Sequence, residues 1–189
     1  MWKEKLISCF LLLPSATFVY ADDDCTGIVD LAISAAIGDP AAQYNLAVEH
    51  WRGQCVDKDL SISRILWKKA ASSGLADAYN NYGYLLYYGE GGETDHEGGI
   101  EAWKQGTDLG SSEAMIHLAN ANLDERHLRV NSRRAKILAS AAKECAMLEE
   151  SETHVEMADE VLAKTGTKLK KLDRSEVKLL VLACSSSER

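Results

Sequence analysis

The stretch of sequence that decides the fold is Gly38-Asp39-Pro40-Ala41-Ala42-Gln43-Tyr44-Asn45-Leu46-Ala47. Its glycine recurs at 36-residue intervals, as Gly74 and Gly110, and each of the three glycines is followed four positions later by an alanine. A fixed period of 20 to 50 residues is typical of a solenoid, in which each unit buries its apolar face against its neighbours. The chain is therefore predicted to stack three repeats, near 38–73, 74–109 and 110–146.

Two further sets of equivalent positions indicate the structure of one repeat. The first set places a small residue in the middle of a helix, where it permits close packing of two helices. The second set precedes the second apolar stretch, where a short polar side chain can accept hydrogen bonds from the free N–H groups of a helix start. The sets are Ala47, Gly83 and Ala119, and Asp59, Asp95 and Asn131. Each repeat is thus predicted to be helix, loop, helix, and the fold to be an all-α, right-handed α/α superhelix with terminal capping helices.

The pattern of the first repeat also resembles a known family. Residues 42–46, followed by Gly53, Asp59, Trp67 and Gly74, are similar to a Sel1-like repeat, a relative of the tetratricopeptide repeat. The resemblance covers about residues 38–146 and is weakest in the third repeat. It implies a protein-binding adaptor, and small exported proteins of this kind include bacterial immunity proteins that neutralise a delivered toxin.

The first 21 residues are predicted to be a secretory signal peptide. Lys3 and Lys5 precede an apolar run at 6–13, and Ala21 ends a suitable cleavage site before Asp22. No later stretch approaches the roughly 20 apolar residues that a membrane-spanning helix needs. We therefore expect a solenoid over 22–146, capping helices and a tail over 147–189, a periplasmic or secreted location, and no insertion into a membrane.

The net charge of the chain indicates which classes of partner are favoured. The formal net charge is −8 at pH 7. This excess of acid disfavours nucleic acid and anionic membranes as partners, and it favours a basic protein partner or serves solubility.

Four cysteines remain after the predicted cleavage, and four cysteines permit three pairings. In the repeat frame, Cys25 opens a partial leading unit and Cys55 lies in the loop of the first repeat, so both are on the same edge of the stack. Cys145 and Cys184 both lie near the ends of predicted helices. The favoured pairing is therefore Cys25–Cys55 and Cys145–Cys184.

Candidate catalytic chemistry is sparse. The five histidines have no spacing typical of a metal site, and no nucleophile elbow or phosphate-binding loop is present. Ser63, Ser72 and Ser132 have no lysine three residues later, as a hydrolase of the penicillin-binding type requires. We therefore expect no enzyme activity, no cofactor and no metal. An envelope signalling or assembly adaptor is the main alternative to an immunity protein, and an exported hydrolase is a weaker one.

The partner-binding surface is predicted on the first helix of each repeat. Residues four and then three apart remain on one face of a helix. Tyr84 and Tyr88 are the expected anchors, because interface hot spots are enriched in tyrosine. The predicted stripe comprises Asn45, Glu49 and Arg52, then Asn81, Leu85 and Tyr88, then His117, Ala121 and Asp124.

Overall fold

The computed structural model describes residues 25–124, 130–165 and 174–186. The predicted signal peptide, 1–21, lies outside the described residues. Within these ranges the chain forms α-helices and no strands. The helices are α1 Ile28–Ala36, α2 Pro40–Arg52, α3 Leu60–Ser72, α4 Ala76–Tyr88, α5 His96–Asp108, α6 Ser112–Ala121, α7 Ser132–Leu148, α8 Glu152–Lys164 and α9 Arg174–Ser186.

These helices stack in chain order as a solenoid, which confirms the predicted all-α fold. Helices α2 and α3, α4 and α5, and α6 and α7 form three packed pairs. Helix α1 precedes the pairs and packs on α2, whereas α8 and α9 both pack on α7. The core lies between the helices and is built around Trp67 in the first pair and around Trp103 and Met115 further along.

The predicted helix caps are confirmed. Asp59, Asp95 and Asn131 are the N-caps of α3, α5 and α7, and each side chain accepts a hydrogen bond from a free N–H of its helix. Asp59 Oδ1, for example, lies 2.9 Å from the Ser61 nitrogen and 3.0 Å from the Ile62 nitrogen. Capping of this kind stabilises a helix by about 1 kcal/mol. The loop of each repeat therefore ends where the sequence predicts.

Close packing explains the small residues in mid-helix. A Cβ added to Gly83 would lie 2.8 Å from the indole of Trp103 and 3.0 Å from the carbonyl oxygen of Gly99. Its equivalents, Ala47 and Ala119, are completely buried. Glycines in α5 lower its intrinsic helix propensity, but they let α4 and α5 approach closely, and this packing offsets the loss.

Two disulfides join parts of the stack that are distant in sequence. Cys25 is bonded to Cys55 at a sequence separation of 30, and Cys145 is bonded to Cys184 at a separation of 39. This is the pairing that the repeat frame favours. The first bond ties the start of α1 to the loop between α2 and α3, and the second holds α9 against α7. Such bonds are typical of proteins that fold in an oxidising compartment.

Within the described ranges, no helix is both long enough and apolar enough to cross a bilayer.

Candidate functional site

The first helices of the three repeats line a groove of about 390 Å³. Helix α3 contributes Trp67 to it, and α8 contributes Met157. Aromatic rings dominate its walls, and a few polar groups point toward it. The residues that line it are Tyr44, Val48, Trp51, Arg52, Trp67, Asn80, Asn81, Tyr84, Glu113, His117 and Met157.

Four of the residues predicted for partner binding line this groove. They are Arg52, Asn81, Tyr84 and His117. Because Asn81 and His117 are equivalent positions in successive repeats, the period of 36 residues brings them to the same surface.

The prediction for Leu85 is wrong, because its side chain is completely buried and cannot meet a partner. Leu85 packs in the cluster that contains Trp67 and Ala78. Its equivalents behave similarly: Ala121 is buried, and Glu49 has one carboxylate oxygen shielded from solvent. A step of four residues from Asn45 therefore leads into the space between helices rather than along the groove.

The other predicted residues lie outside the residues that line the groove. Asn45 is exposed on α2. Tyr88 is 55% exposed, and its ring centroid lies 4.6 Å from that of Tyr84. Asp124 accepts a long hydrogen bond, 3.5 Å, from the hydroxyl of Tyr87. Tyr88 thus extends the aromatic surface beyond the groove, whereas Asp124 is engaged by a core tyrosine.

The stripe that faces the groove begins one residue earlier than predicted, at Tyr44, and continues through Val48 to Trp51. These positions are also spaced four and then three residues apart, so period alone does not distinguish the two stripes. The sequence contains one signal in favour of the stripe that begins at Tyr44, which is the aromatic character of that stripe. Sequence reasoning missed Tyr44, Val48, Trp51, Trp67, Asn80, Glu113 and Met157 as groove residues.

Contacts between side chains hold the aromatic wall in place. Asn81 Nδ2 donates to the hydroxyl of Tyr44 at 3.2 Å. His117 stacks on Trp103, with ring centroids 5.1 Å apart and an interplanar angle of 11°, and it meets Tyr84 edge to face. The surface that the groove presents is therefore set before any partner arrives, which lowers the entropic cost of binding.

The groove partly shields its titratable groups from solvent, and this shifts their pKa values. Burial lowers the pKa of His117 to about 4, with a smaller contribution from the nearby His154. His117 is therefore neutral at pH 7. Burial also raises the pKa of Tyr44, and the charge of Asp77 adds to the effect.

An acidic side chain, Glu113, lines the groove at its end near the start of α6. Burial raises the pKa of Glu113, and the charges of Asp77 and Glu149 act in the same direction, whereas His154 opposes them. Next to it, Ser112 Oγ donates to Glu149 Oε2 at 2.7 Å and lies 3.0 Å from His154 Nδ1. The adjacent His154 ring, together with the hydrogen bond from Ser112, holds the pKa of Glu149 below its usual range.

This serine, histidine and carboxylate do not form a catalytic triad. His154 Nδ1 is the nitrogen that faces both Ser112 Oγ and Glu149 Oε2, which is 3.6 Å away. In a triad the two ring nitrogens serve the nucleophile and the carboxylate separately. Ser112 is also buried. The cluster is a structural connection that fastens α7 and α8 to the start of α6.

Unlike Ser63, Ser72 and Ser132, two other serines do precede a lysine by three residues, which is the spacing of a penicillin-binding site. They are Ser140 with Lys143, and Ser175 with Lys178. Lys143 Nζ is occupied by the Asp159 carboxylate at 2.7 Å, and Ser175 and Lys178 lie at exposed positions of α9. Neither pair lines the groove. Among the residues with described positions, no group of three or more His, Cys, Asp and Glu side chains could hold a metal ion.

A second cleft of similar volume, about 390 Å³, lies between α5, α7 and α9. An ion pair between Arg133 and Glu176, 2.7 Å long, joins two of its walls. Its described lining contains no aromatic side chain. Because partner-binding hot spots are enriched in tryptophan and tyrosine, the aromatic groove is the stronger candidate site.

Comparison with known proteins agrees with the fold. The model of the Sel1 repeat matches residues 40–75 and 76–111. A protective antigen of uropathogenic Escherichia coli with an SLR fold superimposes with a TM-score of 0.67 at 20% identity, over 85% of this chain and 32% of its own. A Sel1 repeat protein from Oxalobacter formigenes superimposes with a TM-score of 0.65 at 18% identity, over 88% of this chain and 47% of its own. The chain thus spans less than half the length of either protein.

Sel1 repeats build solenoids that are typical of protein–protein interaction, and they are generally scaffolds without catalytic activity. The two matched repeats coincide with the helix pairs α2/α3 and α4/α5, which form most of the groove. Residues 40–75 and 76–111 of this chain are therefore two Sel1 repeats.

Proposed function

We propose that this protein is an exported solenoid that binds one protein partner in its aromatic groove, and that the partner is a secreted bacterial toxin, which it neutralises in the periplasm. The observation that carries the proposal is the groove itself. Concave surfaces lined by aromatic rings with a few fixed polar groups are the usual form of a binding site. Trp51, which is 43% exposed at the rim, and Tyr84 supply large rigid contact areas.

Two further observations support an exported location. The two disulfides suit an oxidising compartment, and the amino-terminal 21 residues have the composition of a signal peptide. The net charge of −8 favours a basic partner, and neutralising a toxin requires no chemistry beyond tight binding.

The test uses the exported proteins encoded beside the gene. Each is expressed in the periplasm of a host cell, alone and together with this protein. One neighbour is expected to arrest growth, to be neutralised by coexpression, and to elute with this protein as a complex. A complex without any rescue of growth would favour the signalling or assembly adaptor instead, and the absence of both would contradict the proposal.

A matched pair of variants locates the surface. Trp51→Ala is expected to weaken binding of the toxin by about tenfold or more, because truncating an interface hot spot costs about 2 kcal/mol. Tyr88→Ala tests the extension of the aromatic surface in the same assay. Ile65→Ala is the control, since Ile65 is also apolar and 55% exposed but lies on α3 away from the groove. Equal affinities for all three variants and the wild type would exclude the groove as the site.

A further inference from the structure

The groove carries an acidic group that lacks a partner. Glu113 lies in the second position of α6 and lines the groove beside His117. Among the described residues, no hydrogen bond or ion pair reaches its carboxylate, and the nearby cation that acts on it, His154, is already engaged by Glu149 and Ser112. Burial and the charges of Asp77 and Glu149 make this carboxylate costly to keep ionised. A cation from outside would relieve that cost.

The basic residue of the groove does not fill this role. Glu113 corresponds to position 41 in the first repeat, and Arg52 lies eleven residues further along the helix. At 1.5 Å per residue, Arg52 is therefore displaced by about 16 Å along the direction of the first helices. The groove thus has an acidic end at the helix starts and a basic end at the helix ends.

A carboxylate next to aromatic rings is what a guanidinium group can satisfy. Arginine is more weakly hydrated than lysine, presents a planar set of donors to a carboxylate and stacks on aromatic rings. The unpartnered carboxylate of Glu113 and the aromatic walls therefore favour an arginine side chain as the ligand.

We propose that the groove binds a segment of the partner whose arginine side chain pairs with Glu113 and stacks against the aromatic wall. This inference rests on the proposed function and specifies the chemistry of the partner. It commits the site to a basic segment rather than to an acidic or a purely apolar one.

The test starts from a displayed library of random twelve-residue peptides, selected against the full mature protein with both disulfides formed. Selected sequences are expected to share an arginine at one position. The best peptide is then synthesised in two forms, with arginine and with the neutral isostere citrulline. The citrulline form is expected to bind about tenfold more weakly, because a charged hydrogen-bonded pair is lost.

Variants assign the effect to Glu113. Glu113→Gln should bind the arginine peptide about tenfold more weakly than wild type and should bind both peptides equally, since the charge partner is gone. Glu144→Gln, a matched control on the exposed face of α7, should bind as wild type does. Because the Glu113 carboxylate is desolvated, its replacement should not lower Tm, so loss of binding cannot be attributed to unfolding.

The proposal is overturned if the library yields no enriched peptides or no shared basic residue, or if wild type binds the arginine and citrulline forms equally. These results remain distinct from failure of the proposed function. A toxin that is neutralised in a Trp51-dependent manner, with Glu113→Gln as effective as wild type, would keep the function and refute the arginine site.

Discussion

His117 should make the stability of this protein sensitive to acid. Its pKa in the folded protein is about 4, against 6.5 for an ordinary histidine, because its ring is buried between Trp103 and Tyr84. The unfolded chain therefore takes up a proton at this residue before the folded chain does. The free energy of unfolding is highest above pH 6.5, falls as the pH decreases from 6.5 to 4, and levels off below that. One pH unit corresponds to 1.36 kcal/mol, so the full loss is about 3 kcal/mol.

The perturbation that isolates this effect is His117→Phe, which keeps an aromatic ring of similar size and removes the titration. Urea unfolding followed by circular dichroism at pH 4, 5, 6 and 7.5 gives the free energy of unfolding of both proteins. Since other groups titrate in both, the difference between the two curves reports His117. Wild type is expected to lose about 3 kcal/mol relative to the variant between pH 7.5 and pH 4.

The proton signals of the His117 ring give an independent measurement, because NMR titration should place its midpoint near 4. Parallel pH dependence of the two proteins, or a midpoint above pH 6, would refute the claim that the groove desolvates this ring.

Three further predictions concern the fold. Gly83→Ala should lower the free energy of unfolding, measured by urea titration, by about 2 kcal/mol, because the added Cβ would meet Trp103 and the backbone of Gly99. Gly92→Ala is the control and should be nearly neutral, because its added Cβ would meet only the flexible side chain of Arg64. Replacing both Cys145 and Cys184 by serine should lower the free energy of unfolding by about 4 kcal/mol, given their sequence separation of 39. Intact mass spectrometry of the wild type should show four fewer hydrogens than the reduced protein. Free thiols at these two positions would contradict the pairing. The contact with Glu149 raises the pKa of His154, so this ion pair stabilises the fold below pH 6.5, and its contribution is lost as the pH rises through the pKa of the folded protein. His154→Gln should therefore lower the free energy of unfolding by up to about 1 kcal/mol at pH 5.5 and by little at pH 9. Equal losses at both pH values would argue against an ionic contact.

The repeat architecture was determined by the sequence alone, because it depends on local and periodic features. The glycines at 36-residue intervals, the caps at Asp59, Asp95 and Asn131, and the small residues such as Gly83 each act within one repeat or at its contact with the next. Such interactions recur in every unit, so period and residue type are sufficient to locate them. The same frame placed Cys25 next to Cys55, since it put both on one edge of neighbouring units.

Only the tertiary structure decided which face of the first helices is open. Stripes beginning at Asn45 and at Tyr44 have the same spacing and differ by one residue, a rotation of about 100° around the helix. Which of them faces outward depends on where the second helix packs, and that packing buries Leu85 while it leaves Trp51 and Tyr84 at the groove. The acidic end likewise depends on residues distant in sequence, because the charges of Asp77 from α4 and Glu149 from the end of α7 act on Glu113, and no local pattern encodes their proximity.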